Sequence, residues 1–216
     1  MRGRGEQVIH KTLVVGPLQC NCVILGCEKT KEAVIIDPGD EADRIVSEVK
    51  SLGLNPKYLL HTHAHFDHIG GTKGVRAAFN APTCLHAGDE DIYNNLPLQG
   101  QMFGMKFDAA PALEKKIEDR EELSFGEHKI QVIHTPGHSP GGVCLRLLNA
   151  DELLFSGDTL FRQSIGRTDL WGGDYSTLIR SIKSRLFTLE DDTRVYPGHG
   201  PHTRIGEEKR KNPFLS

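Results

Sequence analysis

The segment Lys57-Tyr58-Leu59-Leu60-His61-Thr62-His63-Ala64-His65-Phe66-Asp67-His68 runs from a short apolar stretch into a cluster of histidines and one aspartate. Residues 57–60 read as a strand. Ligands in folds that mix strands and helices gather where strands end. His63 and His65 are two apart, so in an extended segment they point the same way. Asp67 and His68 follow on a segment that must turn, which crowds three imidazoles and a carboxylate into one small volume. Such a cluster is costly to hold unless a cation neutralises and orders it. Imidazole together with carboxylate suits Zn²⁺, Fe²⁺ or Mn²⁺. The competing reading, a solvated loop whose histidines bond to backbone, leaves so dense a motif without a purpose.

Three further elements bring a His or Asp to a strand end. Thr135-Pro136-Gly137-His138 follows an alternating strand at 129–134. Ser156-Gly157-Asp158 follows an apolar run at 152–155, and Tyr196-Pro197-Gly198-His199 closes a last short strand at 194–196. Singly, each is a turn. Together with the dense motif they form a candidate ligand set.

The rest of the chain alternates strand and helix signals. Residues 8–15 form a strand, and 22–37 read as a hairpin ended by Asp37-Pro38-Gly39. Asp40 is placed as the N-cap of a helix over 41–52, where Ile45, Val46, Val49 and Leu52 recur at helical spacing. A helix is expected at 71–79 and a strand at 83–85. Residues 97–118 lack periodicity, hold two prolines and read as a long loop. Asn149-Ala150-Asp151 makes a hairpin turn, and 176–186 forms an amphipathic helix. This mixture implies α/β or α+β architecture with helices covering sheets. The 216 residues suit a single domain spanning 1–216, and the formal net charge of -3 disfavours a nucleic-acid partner. No apolar run approaches the length of a membrane span, and the first residues contain no signal-peptide h-region. Five cysteines, an odd number, argue against a disulfide framework and for a reducing, cytoplasmic compartment.

His63-Ala-His65-Phe-Asp67-His68, Pro-Gly-His138, Gly-Asp158 and Gly-His199-Gly, in this order, resemble the metallo-β-lactamase superfamily. The Asn21-Cys22 segment and the Asp37-Pro-Gly turn belong to the same resemblance, which covers nearly the whole chain. It is strongest to the short glyoxalase II-like branch, the hydroxyacylglutathione hydrolases. The resemblance implies a four-layer αββα sandwich with a metal site at one edge. It implies that His63, His65 and His138 hold one metal, that Asp67, His68 and His199 hold a second, and that Asp158 bridges them, Asp67 and Asp158 thus being the catalytic carboxylates. Two divalent transition ions follow, zinc favoured and iron or manganese also suitable. The β-lactamases of the superfamily resemble the chain less well, because they use a Cys ligand near the bridging position, where Asp158 stands. Relative to full-length glyoxalase II, the C-terminal helical domain that contacts glutathione is missing, and Arg167 is a candidate basic contact in its place or an ion-pair partner.

The remaining polar residues have plainer readings. His61 either packs against backbone at the strand end or orients a ligand. Asp37 either caps its turn or accepts a hydrogen bond from a ligand imidazole. Cys20 and Cys22 read as small buried thiols.

A water shared by two such ions loses a proton near neutral pH and can attack a carbonyl. A thiol of pKa ~8.5 leaves without a dedicated acid, whereas an amide or alkoxide needs a proton donor. The expected activity is therefore hydrolysis of a thioester such as S-lactoylglutathione. A persulfide dioxygenase using one Fe²⁺ is the alternative, and an RNA phosphodiesterase a third class.

Overall fold

The computed structural model describes residues 8–148 and 152–215. The Met1–Glu6 start and the expected Asn149–Asp151 turn lie outside them. β1 (Val8–Val15), β2 (Cys20–Cys27) and β3 (Glu32–Ile36) form an antiparallel meander. The parallel strands β4 (Asn55–Leu60), β5 (Thr83–His86) and β6 (Lys115–Ile117) extend it in the order β1-β2-β3-β4-β5-β6. β7 (Glu122–Phe125), β8 (His128–His134), β9 (Val143–Leu148), β10 (Leu153–Gly157), β13 (Arg194–Pro197) and β14 (Thr203–Arg204) form the second sheet, in the order β14-β13-β10-β9-β8-β7. β11 (Leu160–Phe161) and β12 (Ser164–Ile165) make a small hairpin beside it.

Alternation along the strands explains why the sheets stack. Val23, Leu25, Val34, Ile36 and Leu60 face Phe125, Ile130, Val132, Leu145 and Phe155 across the interface. Burying side chains of this size contributes about 1.5–3 kcal/mol each. The intervening residues Cys22, Ile24 and Ile35 point the other way. There they pack on Ile45 and Val49 of α1 (Ala42–Ser51) and on Val75 of α3 (Thr72–Phe79). On the outer face of the second sheet, Cys144, Leu154 and Val195 meet Leu178 of α6 (Tyr175–Ser181), Ile182 and Leu186 of the π-helical turn that continues it, and Ile205 of α7 (Ile205–Lys211). Helices therefore cover both outer faces, giving the αββα sandwich of the metallo-β-lactamase fold. No helix among the described residues is long and apolar enough to cross a membrane. The five cysteines are buried and form no disulfide.

The topology gathers the candidate site at one edge. β8 and β10 both run antiparallel to β9, and β13 runs parallel to β10. The ends of β8, β10 and β13 thus open on the same edge, where α2 (Phe66–Ile69) also begins after β4.

Two sequence expectations need correction. Residues 97–118 are not one long loop: α4 (Glu90–Asn94) is followed by α5 (Leu96–Met102), and β6 lies further on. Pro97 sits in the first turn of α5, where no N–H is needed, so it does not mark a loop. Three residues of β6 are too few to show a period. Asp40 does not cap α1; its Oδ1 accepts from Glu41 N at 2.6 Å, and Glu41 (φ 49) is the uncapped N-terminal residue.

Phe125 is fully buried between the sheets. We expect Phe125→Ala to lower unfolding free energy by about 3–5 kcal/mol, read as a reduced urea midpoint at unchanged m-value.

Candidate metal centre

His63, His65 and His138 converge from two strand ends. His138 Nε2 lies 2.9 Å from His65 Nδ1 and 3.2 Å from His63 Nε2. Asp67, His68 and His199 form a second group, with His199 Nε2 3.1 Å from both His68 Nε2 and Asp67 Oδ2. Asp158 lies between them: its Oδ2 is 3.7 Å from His138 Nε2 and 3.7 Å from His199 Nε2, and its Oδ1 is 3.5 Å from His68 Nε2. All seven residues singled out as ligands are brought together.

The outward nitrogens of these rings show what the inward ones are for. His138 Nδ1 donates to Arg167 O at 2.7 Å, and His199 Nδ1 to Leu18 O at 2.9 Å. Thr62 gives its hydroxyl proton to Asp37 Oδ2 at 2.6 Å, so its oxygen accepts from His63 Nδ1 at 3.1 Å. His68 Nδ1 donates to Asp37 Oδ2 at 3.0 Å. Each of these four outward nitrogens thus has an acceptor that holds its proton, leaving the inward nitrogen as the one that can carry a metal. Bare nitrogens 3.2 Å apart, as on His63 and His138, repel unless a cation lies between them. Asp158 Oδ1 is buried with no hydrogen-bond partner, another atom that a cation would satisfy. The donor set therefore fits divalent metal ions.

The electrostatics agree. Burial, and then the neighbouring His68 and His138, push His63 well below the usual histidine range, and burial with His138 takes His65 down to about 3. Both stay neutral, as ligands must. Burial works against a charged His68, but Cys20, Asp67 and Asp158 raise it well above the usual range. Asp67 is likewise penalised by burial, yet His68 and His199 hold it well below the ordinary carboxylate range. Protons thus take the place of cations in the second group.

Local sequence explains the placement. Gly198 N donates to Gly157 O at 2.8 Å, so the parallel pairing of β10 and β13 sets Asp158 beside His199. A Cβ on Gly198 would come within 2.2 Å of Asp158 Oδ1 and 2.7 Å of His68 Cε1, so this position must be glycine. Asn21 Nδ2 donates to Pro197 O at 2.9 Å and Gly200 O at 3.0 Å, tying the His199 turn to the opposite sheet.

Three other expectations are answered by the geometry. His61 is a packing residue, buried, with its ring nitrogens 3.1 Å from Cys84 O and 2.9 Å from Thr72 Oγ1. Asp37 orients His68 and, through Thr62, His63. Arg167 lies on the site's wall, and its guanidinium makes a bidentate pair with Asp169 at 2.7 and 2.8 Å.

Sequence reasoning missed two residues. Buried Asp89 accepts from Ala64 N at 3.0 Å and Ser139 Oγ at 2.8 Å through Oδ2, and from Gly141 N at 2.5 Å through Oδ1. It therefore locks the His63–His65 segment to the His138 turn, although burial raises its pKa. Gln99 holds the next stretch, accepting from Phe66 N and donating to Ala64 O, both at 3.0 Å. No local pattern marks either residue, because their partners, backbone atoms and the Ser139 hydroxyl, are distant in sequence.

The metal-site edge opens into a cavity of about 440 Å³. Its floor carries His65, Asp67, His138, Asp158 and His199, and its wall Leu18, Phe66, Met102, Phe103, Leu170 and Trp171. The ionisable residues on it are the ligand candidates and the Arg167–Asp169 pair. Asp169 is held down to about 2 by the hydrogen bond from Arg167 and so offers no proton near neutrality.

Fold and site define a metal-dependent hydrolase of the metallo-β-lactamase superfamily. Residues 15–199 match the family model for that superfamily, and the chain belongs to it. Hydroxyacylglutathione hydrolase GloC of Haemophilus influenzae is 38% identical over 94% of this chain and 95% of its own. Among solved structures, BLEG-1 B3 metallo-β-lactamase superposes with TM-score 0.90 at 40% identity, covering 96% of this chain and 100% of that one. TTHA1623, in a di-iron-bound form, superposes with TM-score 0.86 at 41% identity, covering 95% and 100%. The expectation that β-lactamases resemble this chain less well is therefore corrected: BLEG-1 is 40% identical to it, and the hydrolase GloC 38%.

We expect Asp37→Asn to weaken metal affinity by about 10–100-fold with the fold intact, measured by competition with a chelating dye alongside circular dichroism. Gly198→Ala should displace Asp158, and elemental analysis should then find less bound metal than in the parent.

Proposed function

We propose that this protein is a binuclear hydrolase of the glyoxalase II-like branch that cleaves thioesters, with S-lactoylglutathione as the reference substrate. His63, His65 and His138 would hold one ion, Asp67, His68 and His199 the other, and Asp158 both. Zinc is the favoured metal, with iron or manganese suited to the same donors; the di-iron form of TTHA1623 supports a two-ion reading. The observation that carries the proposal is Asp158 Oδ2, 3.7 Å from a histidine of each group.

When bound, the ions would supply a water acidic near pH 7 and a Lewis acid for the substrate carbonyl. The chain's own residues do the rest. Asp37, Thr62 and the carbonyls of Leu18 and Arg167 hold the protons of the outward nitrogens, so that the inward nitrogens are the ones that would face the ions. Asp89 and Gln99 fix the backbone between the ligands. In the overall reaction water adds to the carbonyl carbon, the C–S bond breaks, and acid and thiol are released. The pocket supports this leaving group in particular. Its ionisable side chains are ligand candidates or the Arg167–Asp169 pair, so it offers no acid for an amine or alkoxide, while a thiol of pKa ~8.5 departs as thiolate. The relative GloC, a hydroxyacylglutathione hydrolase, agrees with this choice. The reading carries with it a small-molecule partner, no nucleic acid or membrane, and a cytoplasmic setting, which the five buried thiols support.

Protein loaded with zinc, iron or manganese should bind two ions per chain and release thiol from S-lactoylglutathione, with a high KM rather than a low kcat. Asp158→Ala should lose more activity and metal than Asp67→Ala, because it serves both ions. Oxygen consumption with glutathione persulfide, with no thiol released from S-lactoylglutathione in any metal form, would transfer the assignment to the dioxygenase. Hydrolysis confined to a β-lactam would overturn the leaving-group argument.

A further inference from the structure

The cavity wall is chemically unlike its floor. Leu18, Met102, Phe103 and Trp171 are between 44% and 64% exposed, although they are large and apolar. They make up half of the most exposed large apolar side chains among the described residues, and all four surround this one cavity. Apolar side chains gathered on one concave surface mark a binding site, whereas the same residues scattered singly would carry no message. The wall is also built. Phe103, just past the end of α5, packs on buried Phe66 of the metal motif with ring centroids 4.8 Å apart, which fixes an aromatic face beside the floor. Leu170 and Trp171 face it from the segment that follows the Arg167–Asp169 pair.

Charge argues the same way. An anionic thiol such as glutathione brings carboxylates that need cations. Among the described residues lining the cavity, Arg167 is the cation outside the ligand set, and its Nε and Nη2 are taken by Asp169 at 2.7 and 2.8 Å. A carboxylate on the substrate would have to displace Asp169 or sit beside it.

We infer that the site takes thioesters carrying an apolar, uncharged group, on the acyl or the thiol side, which packs on Phe66, Met102, Phe103, Leu170, Trp171 and Leu18. This rests on the thioester reading above and narrows it: S-lactoylglutathione reacts but binds poorly, and apolar thioesters bind well.

The test uses the metal-loaded protein and thioesters of the neutral thiol N-acetylcysteamine with acetyl, butyryl and hexanoyl groups, beside acetyl thioesters of ethanethiol and hexanethiol. KM should fall roughly threefold per added methylene at nearly constant kcat, on whichever side the apolar group is accepted. The two series decide that side. Trp171→Ala and Phe103→Ala should raise KM for the preferred long thioester about tenfold and flatten the dependence of KM on chain length. Both residues are about half exposed, so truncation spares the core. A KM independent of chain length in both series, or lowest for S-lactoylglutathione, would overturn the inference.

Binding is separable from chemistry because Trp171 is the chain's single tryptophan. If no thioester is cleaved, the hydrolase reading fails, and fluorescence still decides the pocket. A saturable blue shift with the thioether S-hexyl-N-acetylcysteamine, absent with S-methylglutathione, supports the apolar site. No shift with the hexyl thioether, or an equal shift with both, overturns it.

Discussion

The buried Asp37 carboxylate is the contact on which the site depends. Its Oδ1 accepts from Thr62 N at 2.7 Å, and its Oδ2 takes the Thr62 hydroxyl at 2.6 Å and His68 Nδ1 at 3.0 Å. One side chain at the end of β3 therefore fixes the backbone where β4 enters the histidine motif. It also sets the tautomer of His68 directly and that of His63 through Thr62. Neutral imidazoles can ligate a cation only if their other nitrogen keeps the proton. Without this carboxylate, five rings and two further carboxylates crowded at one edge would share protons among themselves.

Such a concentration of polar groups is tolerable only on a scaffold that bears its cost. The two sheets bury apolar residues on both faces, and the layers of α1 with α3 and of α6 with α7 close the outside. Asp67 and His68 come from the short helix α2 and the other candidate ligands from short loops, and these segments are anchored. Asp89 ties the first motif to the His138 turn, and Asn21 ties the His199 turn to the opposite sheet. The interaction between sheets is thus at once the core of the fold and the means by which the metal groups keep their spacing.

Above this rigid floor lies a wall of different chemistry. The ligands are neutral or anionic groups arranged for cations, and the lining around them is aromatic and aliphatic. Reactivity and recognition are therefore divided between separate parts of the chain. The floor derives from strand ends and the start of α2, whereas much of the wall comes from the end of α5 and from the segment before α6.

The layered fold and the residues that cluster at the site were legible in the sequence. Dense histidine spacing and turns of the Pro-Gly-His type are local features, and the alternation of strands and the helical period of Ile45, Val49, Leu178 and Ile182 reflect burial residue by residue. α5 was hidden because a proline in its first turn imitates a loop, and β6 because three residues show no period. Only the tertiary structure decided that Asp158 stands between the two histidine groups, since its place depends on the pairing of β10 with β13 across a parallel register. Only the tertiary structure revealed Asp89 and Gln99, whose partners are mostly backbone atoms far away in the chain and carry no sequence signature. The apolar wall likewise joins residues from positions 18, 66, 102 and 171, which no local pattern relates. Sequence records what each residue can do within a few neighbours, and the packing of the sheets determines which of those capacities meet.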